Sequence, residues 1–304
     1  MERETREKLQ ALEGLLDSWK SVAVGYSGGV DSTFLAAVCA RAVPSRTVLM
    51  HIETPFSATP ELASVERASE SGQSAFGLPL ISVPLDPFSL ENVVRNDENR
   101  CYYCKRAGFS AILAEGQARG IEVVVDGSNA DDAGDYRPGM RALEELGVRS
   151  PLLETGWRKD EERALLREWG IPMWDMPAGA CLATRIPCGE PLTERKLAAV
   201  RACEDYLHEH GLHQVRARLI EGSLQVEASS EDMRVLASVG APADASDGAS
   251  APHEKGAWHG ESAPSEEGAW RVALPEEMRA HLAGCVDGEV NPYVVLYSKG
   301  SMNR

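Results

Sequence analysis

The chain has 304 residues, 43% of them hydrophobic, enough for one large core or two ordinary ones. Against 31 Lys and Arg stand 47 Asp and Glu, a formal charge of −16. That balance disfavours broad electrostatic binding to nucleic acid or to an anionic membrane, so an anionic ligand has to meet a local basic site.

The charged start from Met1 to Lys8 runs into Leu9, Leu12, Leu16 and Trp19 at helical spacing, with no signal-peptide core. No run reaches membrane-spanning length, and seven cysteines, an odd number, point to reduced thiols in the cytoplasm. Next, Val22-Ala23-Val24-Gly25-Tyr26 reads as an apolar β run that breaks into Ser27-Gly28-Gly29-Val30-Asp31-Ser32 and continues as a helix to about residue 42. Adjacent glycines let the backbone turn tightly and present N–H groups to an anion, with Ser27, Ser32 and the following helix dipole adding to the field. Two glycines alone also fit a turn without a ligand; the full hexad between strand and helix favours the anion cradle. No Gly-Lys-Ser/Thr follows, so this is not the loop that grips β- and γ-phosphates for hydrolysis.

Thr47 to Ile52 predicts a second strand, Glu61 to Gly77 a helix, Leu80 to Val83 a third strand, and a long helix crosses the Cys101 region. Ile121 to Val125 makes a fourth strand ending in Asp126-Gly127-Ser128-Asn129-Ala130-Asp131-Asp132. Strands alternating with helices imply an α/β fold, a parallel doubly wound sheet with ligands at the carboxyl ends of its strands. A helix from Asp160 carries Leu165, Leu166 and Trp169 and stops at Gly170 and Pro172. The pattern then changes: an irregular segment from Pro177 to Pro191, a helix capped by Thr193 to about His210, strands near 215–219 and 223–228, a short helix after Ser230 and a strand from Tyr293 to Tyr297. This predicts two domains, 1–175 and a smaller α+β domain, 176–304. Residues 241–270 lack Leu, Ile, Val, Phe and Met and read as a disordered insertion, whose Gly256-Ala257-Trp258 and Gly268-Ala269-Trp270 doublet fits a drifted linker better than a binding repeat.

Asp31 stands where a magnesium ion bridging phosphates would want an oxygen, although an Asp near a helix start also serves as a plain cap. Cys101 and Cys104 form a Cys-x-x-Cys pair, suited to a metal, an iron–sulfur cluster or a redox couple, or simply to two buried thiols on a helix. The candidate third ligand is Cys181, held outside regular structure by Pro177, Gly179 and Pro187 and followed by Arg185, which would favour a thiolate and so a nucleophile. Cys39, Cys203 and Cys285 read as small packing residues. Alternation in Val215-Arg216-Ala217-Arg218-Leu219 puts Arg216 and Arg218 on one strand face, about 7 Å apart, a clamp for a phosphate or carboxylate or else solvated surface charge. Lys105 and Glu204 are candidates for proton transfer or charge steering, with a solvated role as the alternative.

The hexad Ser27 to Ser32 resembles the loop of the PP-loop ATP pyrophosphatases, the adenine nucleotide α-hydrolase-like enzymes. Together with Asp126 to Asp132, Arg137 to Ala142, Glu145 to Leu152, Ala180 to Arg185 and Val215 to Arg218, it is similar to the LarE family, the ATP-dependent sulfur transferases of nickel-pincer cofactor synthesis, over most of residues 8–240. The resemblance implies that ATP adenylates a carboxylate of pyridinium-3,5-biscarboxylic acid mononucleotide, AMP leaves and a thiocarboxylate forms. It implies ATP contacts at Ser27, Gly28, Gly29, Asp31 and Ser32, Mg2+ at Asp31, substrate contacts at Arg185, Arg216 and Arg218, active-site roles for Lys105 and Glu204, and sulfur supplied at Cys181. In one branch that cysteine is sacrificed to dehydroalanine; in another, three cysteines hold a four-iron, four-sulfur cluster bearing an extra sulfide. Cys101 and Cys104 match the additional two, so the cluster branch is expected. Cys188 departs from the family pattern, which has a tyrosine there. The expected partner is a small-molecule mononucleotide, with no nucleic acid and no membrane, in a homo-oligomer. The competing readings are a PP-loop tRNA thiolase, against which the net charge weighs, an ammonia-using amide synthetase of the NAD or GMP synthetase type, and a nucleotide-binding sensor.

Overall fold

The computed structural model describes residues 3–69, 76–132, 138–176, 179–239, 271–286 and 288–297; the insertion expected at 241–270 lies outside them. The chain divides into two compact units, Met1–Cys181 and Leu182–Arg304. The division falls a few residues after the boundary expected near 175 and leaves Cys181 with the first unit.

In the first unit, α1 (Arg3–Asp17) leads to β1 (Val22–Gly25) and α2 (Val30–Ala42), then β2 (Thr47–Glu53), α3 (Thr59–Ser69) and β3 (Leu80–Pro84). After these come α4 (Glu91–Val94), α5 (Arg100–Ala118), β4 (Val123–Val125), α6 (Pro138–Leu146), α7 (Pro151–Glu154) and α8 (Lys159–Glu168). The strands form one all-parallel sheet in the order β3-β2-β1-β4. A parallel sheet needs cover on both faces, and the pleat of β1 divides accordingly. Val22 and Val24 join Leu12 and Leu16 of α1, Phe34 and Val38 of α2, and Leu165 and Leu166 of α8. Ala23 turns the other way, with Val48, Met50 and Val83, to meet Phe109 and Ile112 of α5 and Leu143 of α6.

Two glycines let α5 press onto the sheet. A Cβ on Gly108 would stand 2.6 Å from Ile52 Cδ1, and one on Gly25 would stand 2.9 Å from Phe109 Cζ. This close seat matters because α5 carries Cys101, Cys104 and Lys105. Helices α6 and α7 lay outside the sequence expectation, as did a bridge from Val125 to Arg149 that adds one more rung beside β4.

The second unit holds α9 (Glu194–Glu209), β5 (Val215–Ile220), β6 (Ser223–Ala228), α10 (Ser230–Val239), β7 (Arg271–Ala273), α11 (Glu276–Cys285) and β8 (Tyr293–Leu296). Thr193 caps α9, its Oγ1 accepting from Lys196 N at 3.2 Å. A tight turn with Glu221 at φ +50° and Gly222 at φ +81° joins β5 to β6. The mixed sheet runs β5-β6-β8-β7, and α9 lies against β5 through Leu197, Val200, Cys203 and Leu207.

Trp157 is fully buried, its ring 4.7 Å from that of Phe34 on α2. Trp157→Ala is therefore expected to destabilise the first unit by about 3–5 kcal/mol, read as a lower urea midpoint followed by tryptophan-independent circular dichroism.

Candidate active site

The sheet order sets the site. With β2 on one edge of β1 and β4 on the other, the chain reverses direction across the sheet between β1 and β4, and their carboxyl ends open side by side. The loop after β1 is tied to itself before any ligand arrives. Ser27 Oγ and Ser32 Oγ are 3.1 Å apart, Ser32 Oγ donates to Gly29 O at 3.1 Å, and Gly29 N donates to Ser27 Oγ at 3.3 Å. Gly28 has φ +80°, and a Cβ there would lie 2.9 Å from the Glu61 carbonyl, so glycine is required twice over. From the neighbouring strand end, Gly127 packs against the start of α2, where a Cβ would come within 2.9 Å of Ser32 N.

Asp31 stands in a polar cluster. Lys159 Nζ lies 3.1 Å from its Oδ2, and Asn129 Nδ2 donates to Oδ1 at 3.4 Å and to Glu162 Oε1 at 3.1 Å. Glu162 is 0% exposed, and its carboxyl also hydrogen-bonds Asp31. Burial, reinforced by Asp31, pushes the Glu162 carboxyl up to about 9, against the opposing pull of Asn129 and Lys159. Glu162, Lys159 and Asn129 were absent from the residues picked out of the sequence. The signal was there for Glu162: it sits one turn before Leu165 and Leu166, a carboxylate on the apolar stripe of α8. Asp126, at the end of β4, is buried and accepts from Ser128 Oγ and Ser150 Oγ, both at 2.6 Å, and from Lys105 Nζ at 3.2 Å. That contact places Lys105 at the carboxyl ends of the strands.

The three cysteines singled out from the sequence share one neighbourhood. Burial raises the Cys104 thiol to about 12, and the nearby Cys181 and Cys101 thiols push the same way, while Arg100 pulls against them. Arg100 donates to Cys101 Sγ at 3.5 Å and to the buried Asn96, whose φ is +58°. Cys101 and Cys181 are exposed, and none of the seven cysteines forms a disulfide. Among the described residues, no group of three or more His, Cys, Asp or Glu is set to hold a metal ion. The three thiols thus share one neighbourhood without forming a closed ligand set among the described residues.

Arg185, Arg216 and Arg218 of the second unit are not solvated. Arg185 is 0% exposed and grips Glu204 with two donors, Nε to Oε1 at 2.7 Å and Nη2 to Oε2 at 2.8 Å. Glu204 Oε1 also accepts from Ala217 N at 2.9 Å, so the carboxylate is occupied in holding Arg185 and β5. Arg216 and Arg218 are 6% and 5% exposed, which overturns the surface-charge alternative; Val215, Ala217 and Leu219 are buried too. Arg218 pairs with Glu227 at 2.8 Å and donates to Thr184 O at 2.8 Å. Arg216 lies over the Tyr297 ring at 5.6 Å, and burial together with the Arg185 charge lowers its proton affinity. Arg185, Arg216 and Arg218 thus lie buried close to one another and to Glu204 and Glu227.

No family model matches the chain. It is 36% identical over 227 residues to an uncharacterised protein of Synechocystis, covering 75% of this chain and 83% of that protein. It is 31% identical over 222 residues to the pyridinium-3,5-bisthiocarboxylic acid mononucleotide synthase of Lactiplantibacillus plantarum, covering 72% of this chain and 79% of that protein. A similarity of 29% over 158 residues to the tRNA(Ile)-lysidine synthase of Polaromonas naphthalenivorans covers 49% of this chain and 46% of that protein. No helix among the described residues is long and apolar enough to cross a membrane.

Glu162 makes a pH prediction. Its folded value near 9 lies above the ordinary carboxyl value, so between roughly pH 4.5 and 9 the folded protein holds a proton that the unfolded chain has lost. Stability from this group falls as pH rises through that window. Glu162→Gln is expected to flatten the decline in urea midpoint between about pH 5.5 and pH 8.5.

Proposed function

The chain belongs to the family of pyridinium-3,5-bisthiocarboxylic acid mononucleotide synthases, and from that membership we propose that it is an ATP-dependent sulfur transferase acting on a carboxylate of a pyridinium mononucleotide. The observation that carries the proposal is the prearranged loop at 27–32 in the same compact unit as the Cys101, Cys104 and Cys181 thiols. A loop that presents backbone N–H groups without a P-loop lysine suits pyrophosphate as a leaving group.

In this mechanism the substrate carboxylate attacks the α-phosphorus of ATP, the α–β bridge bond breaks, and pyrophosphate leaves into the loop. Asp31 is the residue that would hold a magnesium ion, which when bound would offset the charge of the phosphates. The acyl adenylate carries a good leaving group, so the Cys181 thiolate adds to the carbonyl carbon and AMP departs with the bonding pair to give a thioester. Loss of the Cys181 α-proton then breaks its Cβ–Sγ bond, leaving a thiocarboxylate and dehydroalanine, whereas a sulfide donor gives the thiocarboxylate directly. Lys105, tied to Asp126, offsets negative charge at the strand ends. Arg216 and Arg218 take the phosphate of the mononucleotide, and Arg185 is kept cationic and in place by Glu204. Cys101, Cys104 and Cys181 are the residues that would hold an iron–sulfur cluster, which when bound supplies a sulfide for transfer.

Four outcomes test this. Asp31→Ala should abolish pyrophosphate release, whereas Cys181→Ala should keep release and stop thiocarboxylate formation; equal loss of both steps in both variants contradicts the division. Arg216→Ala and Arg218→Ala should each raise KM for the mononucleotide while leaving KM for ATP alone, as expected for a phosphate contact made equally in ground and transition states. Anaerobic purification with iron and sulfide analysis, followed by mass spectrometry of Cys181 after turnover, separates an intact cysteine from one that has lost about 34 Da as hydrogen sulfide, a loss of mass where oxidation would add it. Salt-sensitive tRNA binding in a filter assay would overturn the choice of substrate in favour of the tRNA-modifying similarity.

A further inference from the structure

The first turn of α3 touches both the nucleotide loop and the segment that ends in Cys181. On the loop side, Glu61 O and Val65 Cγ2 lie 2.9 Å and 3.0 Å from where a Gly28 Cβ would stand, and Ser64 Oγ donates to Gly28 O at 3.1 Å. On the other side, the Glu61 carboxylate fills the space in which any side chain of Gly179 would have to stand. What a Gly179 side chain would meet is the far end of the Glu61 side chain, so a larger residue there has to displace the carboxylate. Two residues further on is Cys181, whose thiol lies close enough to bear on that of Cys104.

Gly28, α3 and Gly179 thus form a chain of direct contacts, all within Met1–Cys181. The links at Gly28 are backbone and a short hydroxyl, which transmit position. The link at Gly179 is a carboxylate against bare backbone. We infer that Glu61 is a positioning residue that sets Cys181 against the nucleotide loop, so that the sulfur is placed only when α3 is seated on Gly28. It rests on the functional reading above, in which ATP occupies the loop and sulfur is delivered at Cys181. Binding of the pyrophosphate fixes Gly28, the helix turn above it and the carboxylate, and the Cys181 segment stiffens as a result.

Gly179→Ala is the sharpest probe, because the new methyl meets only the end of a flexible side chain and expels the carboxylate without disturbing the core. Glu61→Ala removes the carboxylate outright, and Glu61→Gln keeps an acceptor of the same shape. The first readout is the rate at which iodoacetamide alkylates Cys181 in the full chain, followed by peptide mass spectrometry with and without ATP and Mg2+. ATP should slow alkylation in the wild type and in Glu61→Gln, and leave it unchanged in Gly179→Ala and Glu61→Ala. The second readout is the ratio of thiocarboxylate to pyrophosphate formed, which in the two disrupted variants should fall about a hundredfold, the cost of an ångström-scale misplacement. An ATP effect that persists in both disrupted variants overturns the inference, as does pyrophosphate release that falls in step with sulfur transfer. A wild type that releases no pyrophosphate with the pyridinium substrate overturns the functional reading instead, and the alkylation comparison still decides the role of Glu61.

Discussion

The contact between Gly127 and the backbone of Ser32 is the point on which the nucleotide site depends. It joins the carboxyl ends of β1 and β4, and it is possible only because no side chain intervenes. From it follow the placement of Asp126, buried one residue earlier, and of Asn129, two residues later, which reaches both Asp31 and Glu162. The reversal of strand order opens the crevice, and Gly127 sets how narrow it is. A Cβ at this position would push against backbone on both sides, where no side chain can give way.

Electrostatics in this protein is local rather than global. A chain of −16 repels phosphates at long range, yet the second unit buries Arg185, Arg216 and Arg218 around two carboxylates. Burying ions is costly, and the bidentate grip of Arg185 on Glu204 offsets desolvation only because the remaining acceptor capacity is filled by Ala217 N. Replacing either partner would leave a buried charge alone, which is why Glu204 acts here as the anchor of Arg185 and β5. Burial makes each charge in that layer count for more than it would at a surface.

The alternation of apolar runs made the parallel sheet readable, because β1, β2 and β3 are β-branched or aliphatic segments separated by helices of ordinary length. Thr193 and Gly170 marked helix ends by chemistry that depends only on neighbouring residues. What stayed hidden depends on contacts distant in sequence. Helix α6 begins at Pro138 beside residues rich in Gly and Asp, and β7 and α11 follow the compositionally biased stretch, so local pattern was diluted in each case. The hexad and the Cys-x-x-Cys pair were legible as chemistry, but the partners of Asp31 come from β4 and α8, and spacing in one sequence carries no information about which helix side chain reaches which loop. Alternation put Arg216 and Arg218 on one strand face, but their burial depends on contacts distant in sequence, which a single strand does not reveal.

Cys104 shows how competing effects settle a thiol. It lies in the first turns of α5, where the helix dipole and Arg100 both favour thiolate. Those contributions belong to the terminus of a helix and to a partly exposed cation, and water weakens both. Burial acts on the sulfur itself, and the Cys101 and Cys181 thiols add in the same direction, so the neutral form wins. Cys101 and Cys181 thus present exposed sulfurs beside a half-buried, neutral Cys104.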